Sequence, residues 1–87
     1  MNSIRELAEN EMMMISWQYE ESDNNWKDLD ENHSNLCEKF YTLKLGKFQT
    51  DGNTYIFDTI KMIMRKKRSK NLYDNRKIRR LIEITKS

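Results

Sequence analysis

The chain has 87 residues, 34% of them charged and 37% hydrophobic, and a formal net charge of +2. This length allows one domain with one modest core, and two Trp, four Tyr and three Phe argue against a disordered chain. No apolar run approaches the ~20 residues of a membrane span, and the N-terminal residues do not form a signal peptide. We therefore expect an intracellular protein, cytoplasmic or nuclear, with no membrane partner.

The small net charge conceals an uneven distribution of charge along the chain. Residues 1–40 contain ten acidic and three basic residues, whereas residues 41–87 contain four acidic and thirteen basic residues. This asymmetry is typical of a protein that binds an anionic partner such as nucleic acid, although pairing between the two halves of one fold explains it equally well. The candidate basic patch consists of Arg65, Lys66, Lys67, Arg68, Lys70, Arg79 and Arg80.

Residue types that commonly perform catalysis or bind metals are scarce. Cys37 is the only cysteine and His33 the only histidine, so the chain lacks the ligands of a closed zinc site. We expect Cys37 to pack on the apolar side of a helix and His33 to lie on the surface near the start of that helix. No glycine-rich phosphate-binding sequence is present. These observations predict a protein that is not an enzyme and that has no cofactor or metal.

The first part of the chain predicts a helix followed by two strands. Ser3 and Glu6 have capping-box spacing, which predicts a short helix over residues 3–11 within a helical or disordered extension, residues 1–12. From Met13 to Tyr19 every second residue is apolar, as in a strand. A polar turn at residues 22–25 then leads to a second strand that restarts at Trp26 and would place Trp17 and Trp26 side by side.

The second part predicts one helix and several antiparallel strands. Asp30 is a favourable N-cap, and two apolar i, i+4 pairs predict a helix over about residues 31–42. Strands are predicted near residues 43–48, 54–58 and 60–65, with a two-residue hairpin turn at Asp51-Gly52. Residues 71–75 are expected to form a loop tip, and the segment after Arg76 fits either a strand or a helix. The expected fold class is α+β, a curved antiparallel sheet packed on one main α-helix in a single domain, residues 13–84, with residues 85–87 as a tail.

The spacing of several residues resembles that of the WWE domain, a family named after two tryptophans and a glutamate. Trp17, Trp26 and Glu38 resemble these three residues, and Tyr55-Ile56-Phe57-Asp58 resembles the family's Tyr-x-apolar-Asp strand. Met62 and Ile78-Arg79-Arg80 also match. The resemblance covers residues 16–81 and implies a half-barrel of about six strands beside one helix.

The resemblance also implies a ligand. Several WWE domains bind poly(ADP-ribose) through its iso-ADP-ribose unit or a terminal ADP-ribose, and the family occurs in ubiquitin ligases and ADP-ribosyltransferases. Carried over by position, Tyr55 would line the adenine pocket, Arg76 would hold a phosphate and Trp26 would form a pocket wall. Two residues depart from the pattern: Gln18 replaces an aromatic residue, and Met64 replaces a glutamine that hydrogen-bonds the ligand. A thioether accepts only weak hydrogen bonds.

Three functions follow from these features. The first is a non-catalytic module that recognises ADP-ribose on modified proteins. The second is an adaptor that has lost ADP-ribose binding and contacts a protein partner in the ubiquitin or ADP-ribosylation pathways. The third is a protein that binds nucleic acid through the basic residues of segment 65–80.

Overall fold

The computed structural model describes residues 8–86 as an antiparallel sheet with one helix. The elements are β1 Glu11–Ser22, β2 Asn25–Asp28, α1 Glu31–Thr42, β3 Lys47–Thr50, β4 Tyr55–Asp58, β5 Ile63–Ser69 and β6 Leu72–Lys86. The strands are ordered β2-β1-β6-β5-β4-β3 in one open six-stranded sheet. The α+β class and the curved antiparallel sheet are therefore confirmed, and the segment after Arg76 is a strand.

The helix has the bounds that the sequence predicts. Asp30 is its N-cap, with extended backbone, and its side chain accepts a hydrogen bond from the His33 N–H at 2.8 Å. This bond satisfies one of the N–H groups that every helix leaves open at its start. The helix ends at Thr42, because Lys44 and Gly46 have positive φ and turn the chain away.

The register of the strands divides the sheet into two faces. Directly opposed residues of neighbouring strands point to the same side of a sheet. We call the side that contacts α1 the inner face and the opposite side the outer face. The inner face carries Trp17, Tyr19, Phe48, Tyr55, Phe57, Met64, Lys66, Arg76, Ile78 and Arg80.

The hydrophobic core lies between the inner face and α1. Its buried residues are Trp17, Cys37, Phe48, Phe57, Met64 and Ile78. Phe48 stacks on Phe57 at 5.0 Å between ring centroids, and Phe40 of α1 packs on Phe48 at 4.5 Å. Aromatic pairs at these distances add stabilisation beyond the apolar area that they bury.

One carboxylate joins the helix to the middle of the sheet. Glu38 of α1 accepts hydrogen bonds from the Trp17 indole Nε1 at 2.9 Å and from Arg80 Nε and Nη2 at 2.8 and 2.7 Å. Arg80 also lies over the Tyr41 ring at 5.0 Å. Trp17 and Arg80 face each other on the neighbouring strands β1 and β6. Trp17, Glu38 and Arg80, which all belong to the family pattern, therefore share one hydrogen-bonded unit.

Three turns differ from the prediction. The β3–β4 loop has four residues, 51–54, because Thr50 pairs with Tyr55, and Asp51, Gly52 and Asn53 all have positive φ. The strand predicted from Ile60 begins only at Ile63, because the Asp58 carboxylate accepts the N–H groups of Lys61 and Ile60 and stabilises a turn. The bond from Lys61 is the main reason why the pKa of Asp58 is lowered. Likewise, β3 begins at Lys47 and not near Leu43.

The start of the chain and the turn before the last strand also differ from the prediction. The predicted helix over residues 3–11 falls mainly on residues 1–7, which lie outside the described residues. Residues 9 and 10 form a turn, and β1 begins at Glu11, before the expected start at Met13. The turn between β5 and β6 is confined to Lys70 and Asn71, so most of the predicted loop tip belongs to β6. The helix found among residues 8–86 is too short and too polar to cross a membrane.

Replacing Glu38 with Ala is expected to lower the free energy of unfolding by about 2–4 kcal/mol, because the Trp17 indole and the Arg80 guanidinium lose their acceptor. Guanidinium denaturation followed by circular dichroism measures this change. Glu83→Ala removes an exposed carboxylate from the outer face of β6 and should cost less than about 0.5 kcal/mol. Equal losses in the two variants would contradict the role assigned to Glu38.

Stability is also expected to fall in acid. The hydrogen bond from Arg80, and after it that from Trp17, lowers the pKa of Glu38 in the folded protein. The unfolded state then binds the proton more readily, so this contribution is complete above the unfolded pKa and disappears as pH falls through the folded pKa. Denaturation between about pH 6 and about pH 3 should show a shallower decline for Glu38→Gln than for the wild type. Parallel declines would refute the assignment.

Candidate ligand-binding site

A slot opens on the inner face between the start of α1 and the strands beside it. Its volume is about 170 Å³, and its lining residues are Tyr19, Asp28, Leu29, Asp30, His33, Tyr55, Met64 and Lys66. Tyr55 and Tyr19 supply aromatic surface, and the Asp30 carboxylate supplies hydrogen-bond acceptors, whereas Asp28 Oδ1 already accepts a hydrogen bond from Gln18 Nε2 at 2.8 Å. This combination suits a flat ring that carries hydrogen-bond donors.

A basic hollow of about 340 Å³ adjoins the slot. It shares Tyr19, Met64 and Lys66 with the slot, and its other lining residues are Glu21, Lys67, Arg68, Asp74 and Arg76. Four basic residues thus face two acidic ones. The hollow therefore favours an anion, whereas the slot, with its aspartates, does not.

Tyr55 is held in place from three directions. It stacks on Phe57, its neighbour on the inner face of β4, at 6.2 Å between ring centroids. The His33 ring lies 4.9 Å from it, and Lys66 Nζ lies 5.9 Å from its centroid. Because strand, helix and cation all contact it, the phenol ring presents a fixed surface to the slot.

His33 is buried, which corrects the prediction of a surface residue. Only 6% of the residue is exposed. Its Nδ1 lies 3.1 Å from Asp30, and its Nε2 lies 2.8 Å from Thr50 Oγ1 and 3.0 Å from Asp51. The chain reversal at residues 51–54 brings Asp51 back to the start of α1, a contact that helical spacing does not reveal. His33 therefore ties the β3–β4 loop to the helix beside the slot.

Met64 belongs to the core and to the site. It is only 2% exposed, yet it borders both the slot and the basic hollow. It sits between Phe57 on β4 and Arg76 on β6. The thioether thus forms the apolar floor where the two cavities meet.

Arg76 lies at the far side of the basic hollow, with 40% of its side chain exposed. Its Nη2 is 4.0 Å from Asp74, and Arg68 contacts the same carboxylate at 3.4 Å. Both are loose, solvent-exposed pairs, which hold a side chain weakly. The guanidinium of Arg76 is therefore able to turn towards an anion in the hollow.

Trp26 and Gln18 lie on the outer face, away from both cavities. Trp26 is paired with Glu20, and Gln18 with Asp28 and Arg79. Arg79 lies over the Trp26 ring at 4.2 Å and donates two hydrogen bonds to Gln18 Oε1, at 2.7 and 2.9 Å. The side-by-side arrangement of the two tryptophans is therefore wrong, since Trp17 points inward and Trp26 outward. Neither Trp26 nor Gln18 lines the slot where the sequence placed them.

The basic residues do not share one surface. Arg80 is bound to Glu38 on the inner face, Arg79 covers Trp26 on the outer face, and Arg65 lies over Tyr73 at 5.0 Å. Only Lys66, Lys67 and Arg68 of the candidate basic patch line the hollow, and Lys70 lies in the exposed turn after β5. This arrangement favours a compact anion over a long nucleic acid strand.

Sequence reasoning missed Tyr19 and His33 as site residues, and it named Lys66 only as part of the basic patch. The signal for Tyr19 was present, because the strand alternation from Trp17 places residue 19, and not residue 18, on the same face. Tyr19 thus supplies an aromatic surface next to position 18, where the family pattern has an aromatic residue and this chain has Gln18. The pairing of Lys66 with Tyr55 depends on the β4–β5 register.

The Cys37 thiol, which lines neither cavity, is poorly suited to act as a nucleophile. Burial, and then the neighbouring Glu38, raise the pKa of the Cys37 thiol to about 12, so it stays protonated. Among residues 8–86 no three His, Cys, Asp or Glu side chains are placed to share a metal ion.

Comparison with known proteins agrees with this geometry. The model of the WWE domain matches residues 15–80, most of the chain. No curated protein and no solved structure was found to match. Because the family model spans well over half of the chain, and Trp17, Glu38 and Arg80 form the unit described above, the chain belongs to the WWE domain family, whose members are binding modules.

Proposed function

We propose that this WWE domain binds ADP-ribose units, as iso-ADP-ribose or as a terminal ADP-ribose, on modified proteins. The observation that carries the proposal is that Tyr55 and Arg76 lie on the same face and border two connected cavities. Tyr55 lies two strands away from β6 and is in register with Asp74, two residues before Arg76. The spacing between strands and the rise along a strand then put the Tyr55 and Arg76 Cα atoms about 12 Å apart. A ligand with a planar base at one end and a phosphate at the other, joined by a sugar, suits this separation.

The charges of the two cavities define the orientation of the bound ADP-ribose unit. The adenine amino group is a hydrogen-bond donor, and Asp30 offers acceptors in the slot beside the Tyr55 ring. The phosphates then lie in the basic hollow near Arg76, Arg68 and Lys66. The reverse orientation would place phosphate against two aspartates and is disfavoured.

Met64 limits the affinity. It provides packing under the ligand but no strong hydrogen bond. Loss of one polar anchor in a binding site typically costs about 1–3 kcal/mol, or ~10–100-fold in affinity. We therefore expect dissociation constants in the micromolar range.

Isothermal titration with iso-ADP-ribose and with ADP-ribose tests the proposal. Tyr55→Ala and Arg76→Ala should each weaken binding at least ~10-fold, since they remove a stacking surface and a phosphate partner. Tyr73→Ala and Arg65→Ala are matched controls, because this tyrosine and arginine contact each other on the outer face. Absence of heat with both ligands, or equal losses in the controls, would reject the proposal.

Met64→Gln should strengthen binding of the preferred ligand about 10-fold, because the amide restores a donor and an acceptor at the floor of the site. The same change should reduce the free energy of unfolding by about 1–3 kcal/mol, because the position is buried in the core. Titration and guanidinium denaturation measure the two effects. Met12→Gln, at an exposed position of β1, should change neither. Weaker binding by a folded Met64→Gln protein would contradict the assigned position of the ligand.

An adaptor function is the second candidate, and one surface favours it. Exposed apolar side chains lie at the end of α1 (Tyr41), directly after it (Leu43 and Leu45) and after β4 (Ile60). Tyr41 and Ile60 line an open groove of about 480 Å³. Exposed apolar patches of this kind often contact other proteins. If both ADP-ribose forms fail to bind, this surface becomes the leading candidate for the function of the domain.

A further inference from the structure

β1 and β6 extend beyond the rest of the sheet as a two-stranded ribbon. The ribbon consists of residues 11–16 of β1, paired with residues 81–86 of β6. β2 pairs with β1 only from Gln18 onwards, and β5 pairs with β6 only up to Lys77. The domain accordingly measures 50 Å in its longest dimension but only 26 and 23 Å in the others. Two strands without further cover are marginally stable in water.

The β1 strand of the ribbon is apolar on both faces, and β6 adds apolar residues to the inner face. Met13, Ile82 and Ile84 on its inner face are 50%, 50% and 43% exposed, and Met12 and Met14 on its outer face are 62% and 59% exposed. Residues 12–16 of β1 contain no charge. A long, apolar and uncharged edge is a template for pairing with another strand.

Hydrogen bonds at Trp17 show which main-chain groups face this open edge. The Trp17 N–H donates to Ser34 Oγ, and the Trp17 carbonyl accepts from the Leu29 N–H, so both point away from β6. Main-chain groups along a strand alternate in direction with period two. The N–H and C=O groups of Met13 and Ile15 therefore point to the same edge, and no strand among residues 8–86 pairs with them there.

We propose that two copies of the chain form a symmetric dimer through this edge of β1, in antiparallel register with Met14 opposite Met14 of the second copy. In this register Met13 faces Ile15 of the other copy, and each of these pairs exchanges two N–H···O=C bonds. All four open groups of each copy are then satisfied. The two six-stranded sheets continue into one another across a two-fold axis, a closed and self-complementary arrangement.

Shifting the second copy along β1 to a neighbouring register satisfies fewer of the main-chain N–H and C=O groups. A shift in one direction sets Ile15 opposite Glu11, whose N–H already donates to the Ala8 carbonyl. A shift in the other direction sets Met13 opposite Trp17, whose N–H and C=O are both engaged. The register centred on Met14 is therefore the one in which every open group of Met13 and Ile15 finds a partner.

The side chains agree with the same register. On the inner face Met13 meets Ile15, and on the outer face the two Met14 side chains meet at the axis, with Met12 opposite Ser16. No like charges oppose each other. The open edge of β6 is a poorer candidate, because the equivalent register there sets Glu83 against Glu83 and Arg80 against Lys86, and opposed like charges destabilise a sheet.

The contact is small, since only residues 12–16 of each copy take part. Glu11 and Trp17, which would oppose each other next, are already bonded to Ala8, Leu29 and Ser34, so the two strands diverge there. Stable interfaces usually bury about 800 Å² on each partner, which is more than one short strand supplies. We therefore expect a dimer with a dissociation constant in the micromolar range.

Sedimentation equilibrium of the full chain tests the dimer. The wild type should shift with concentration from one to two times 10.6 kDa and should not grow further. Met14→Lys places two charges at the axis and should weaken dimerisation at least ~10-fold while the monomer stays folded, because Met14 is exposed there. Ile60→Lys changes an even more exposed apolar residue in the turn after β4, outside the ribbon, and should leave the dimer intact.

Disulfide trapping tests the register. Directly opposed residues are close enough for a disulfide, so mild oxidation should crosslink Met14→Cys into a covalent dimer. Met12→Cys is the matched control, because in this register its two copies lie about 14 Å apart along the strands. A monomer at up to about 0.5 mM, a far higher concentration than a micromolar dimer needs, would overturn the proposal. So would equal crosslinking of the two cysteine variants, or assembly beyond the dimer.

Discussion

The bond between Glu38 and Arg80 determines where the helix sits on the sheet. Arg80 comes from the middle of β6, and Glu38 also holds the indole of Trp17 on β1. With the helix fixed at this point, its first turn is placed beside β4, where His33 meets Tyr55 and Phe57. The slot therefore depends on a charge pair that lines neither cavity. Trp17 and Glu38, two of the three residues after which the WWE family is named, therefore hold the helix against the sheet and do not line the site.

Local patterns predicted the helix and most strands, because their causes are local. The Asp30 cap and the apolar pairs of α1 lie within one helix, and the alternation of β1 needs only one strand. Non-local contacts were not predictable in the same way. His33 is buried because Asp51, eighteen residues later, folds back onto it. Trp26 points outward because the β1–β2 pairing shifts between Glu20 and Ser22, and nothing in the local pattern marks such a shift.

The sheet separates two kinds of aromatic–cation contact. On the inner face the ring of Tyr55 remains available beside the slot, with Lys66 near it. On the outer face the rings of Trp26 and Tyr73 are covered by Arg79 and Arg65. Composition alone treats these rings and cations as equivalent. Their different roles follow from strand parity, which decides whether a ring meets the helix side or solvent.

Successive inward residues of β6 contribute to different parts of the domain. Arg76 lines the basic hollow, Ile78 lies in the core and Arg80 bonds to the helix, while Ile82 and Ile84 belong to the ribbon. Side chains alternate strictly along a strand, so loss of one residue within β6 would exchange its two faces from that point on. Such a deletion would turn Arg80 outward and bring Arg79 or Leu81 against Glu38. The length of this strand between Arg76 and Arg80 therefore cannot change without exchanging its two faces. By contrast, the four-residue loop at 51–54 has exposed residues at its tip and is the place where a homologous chain can accept insertions.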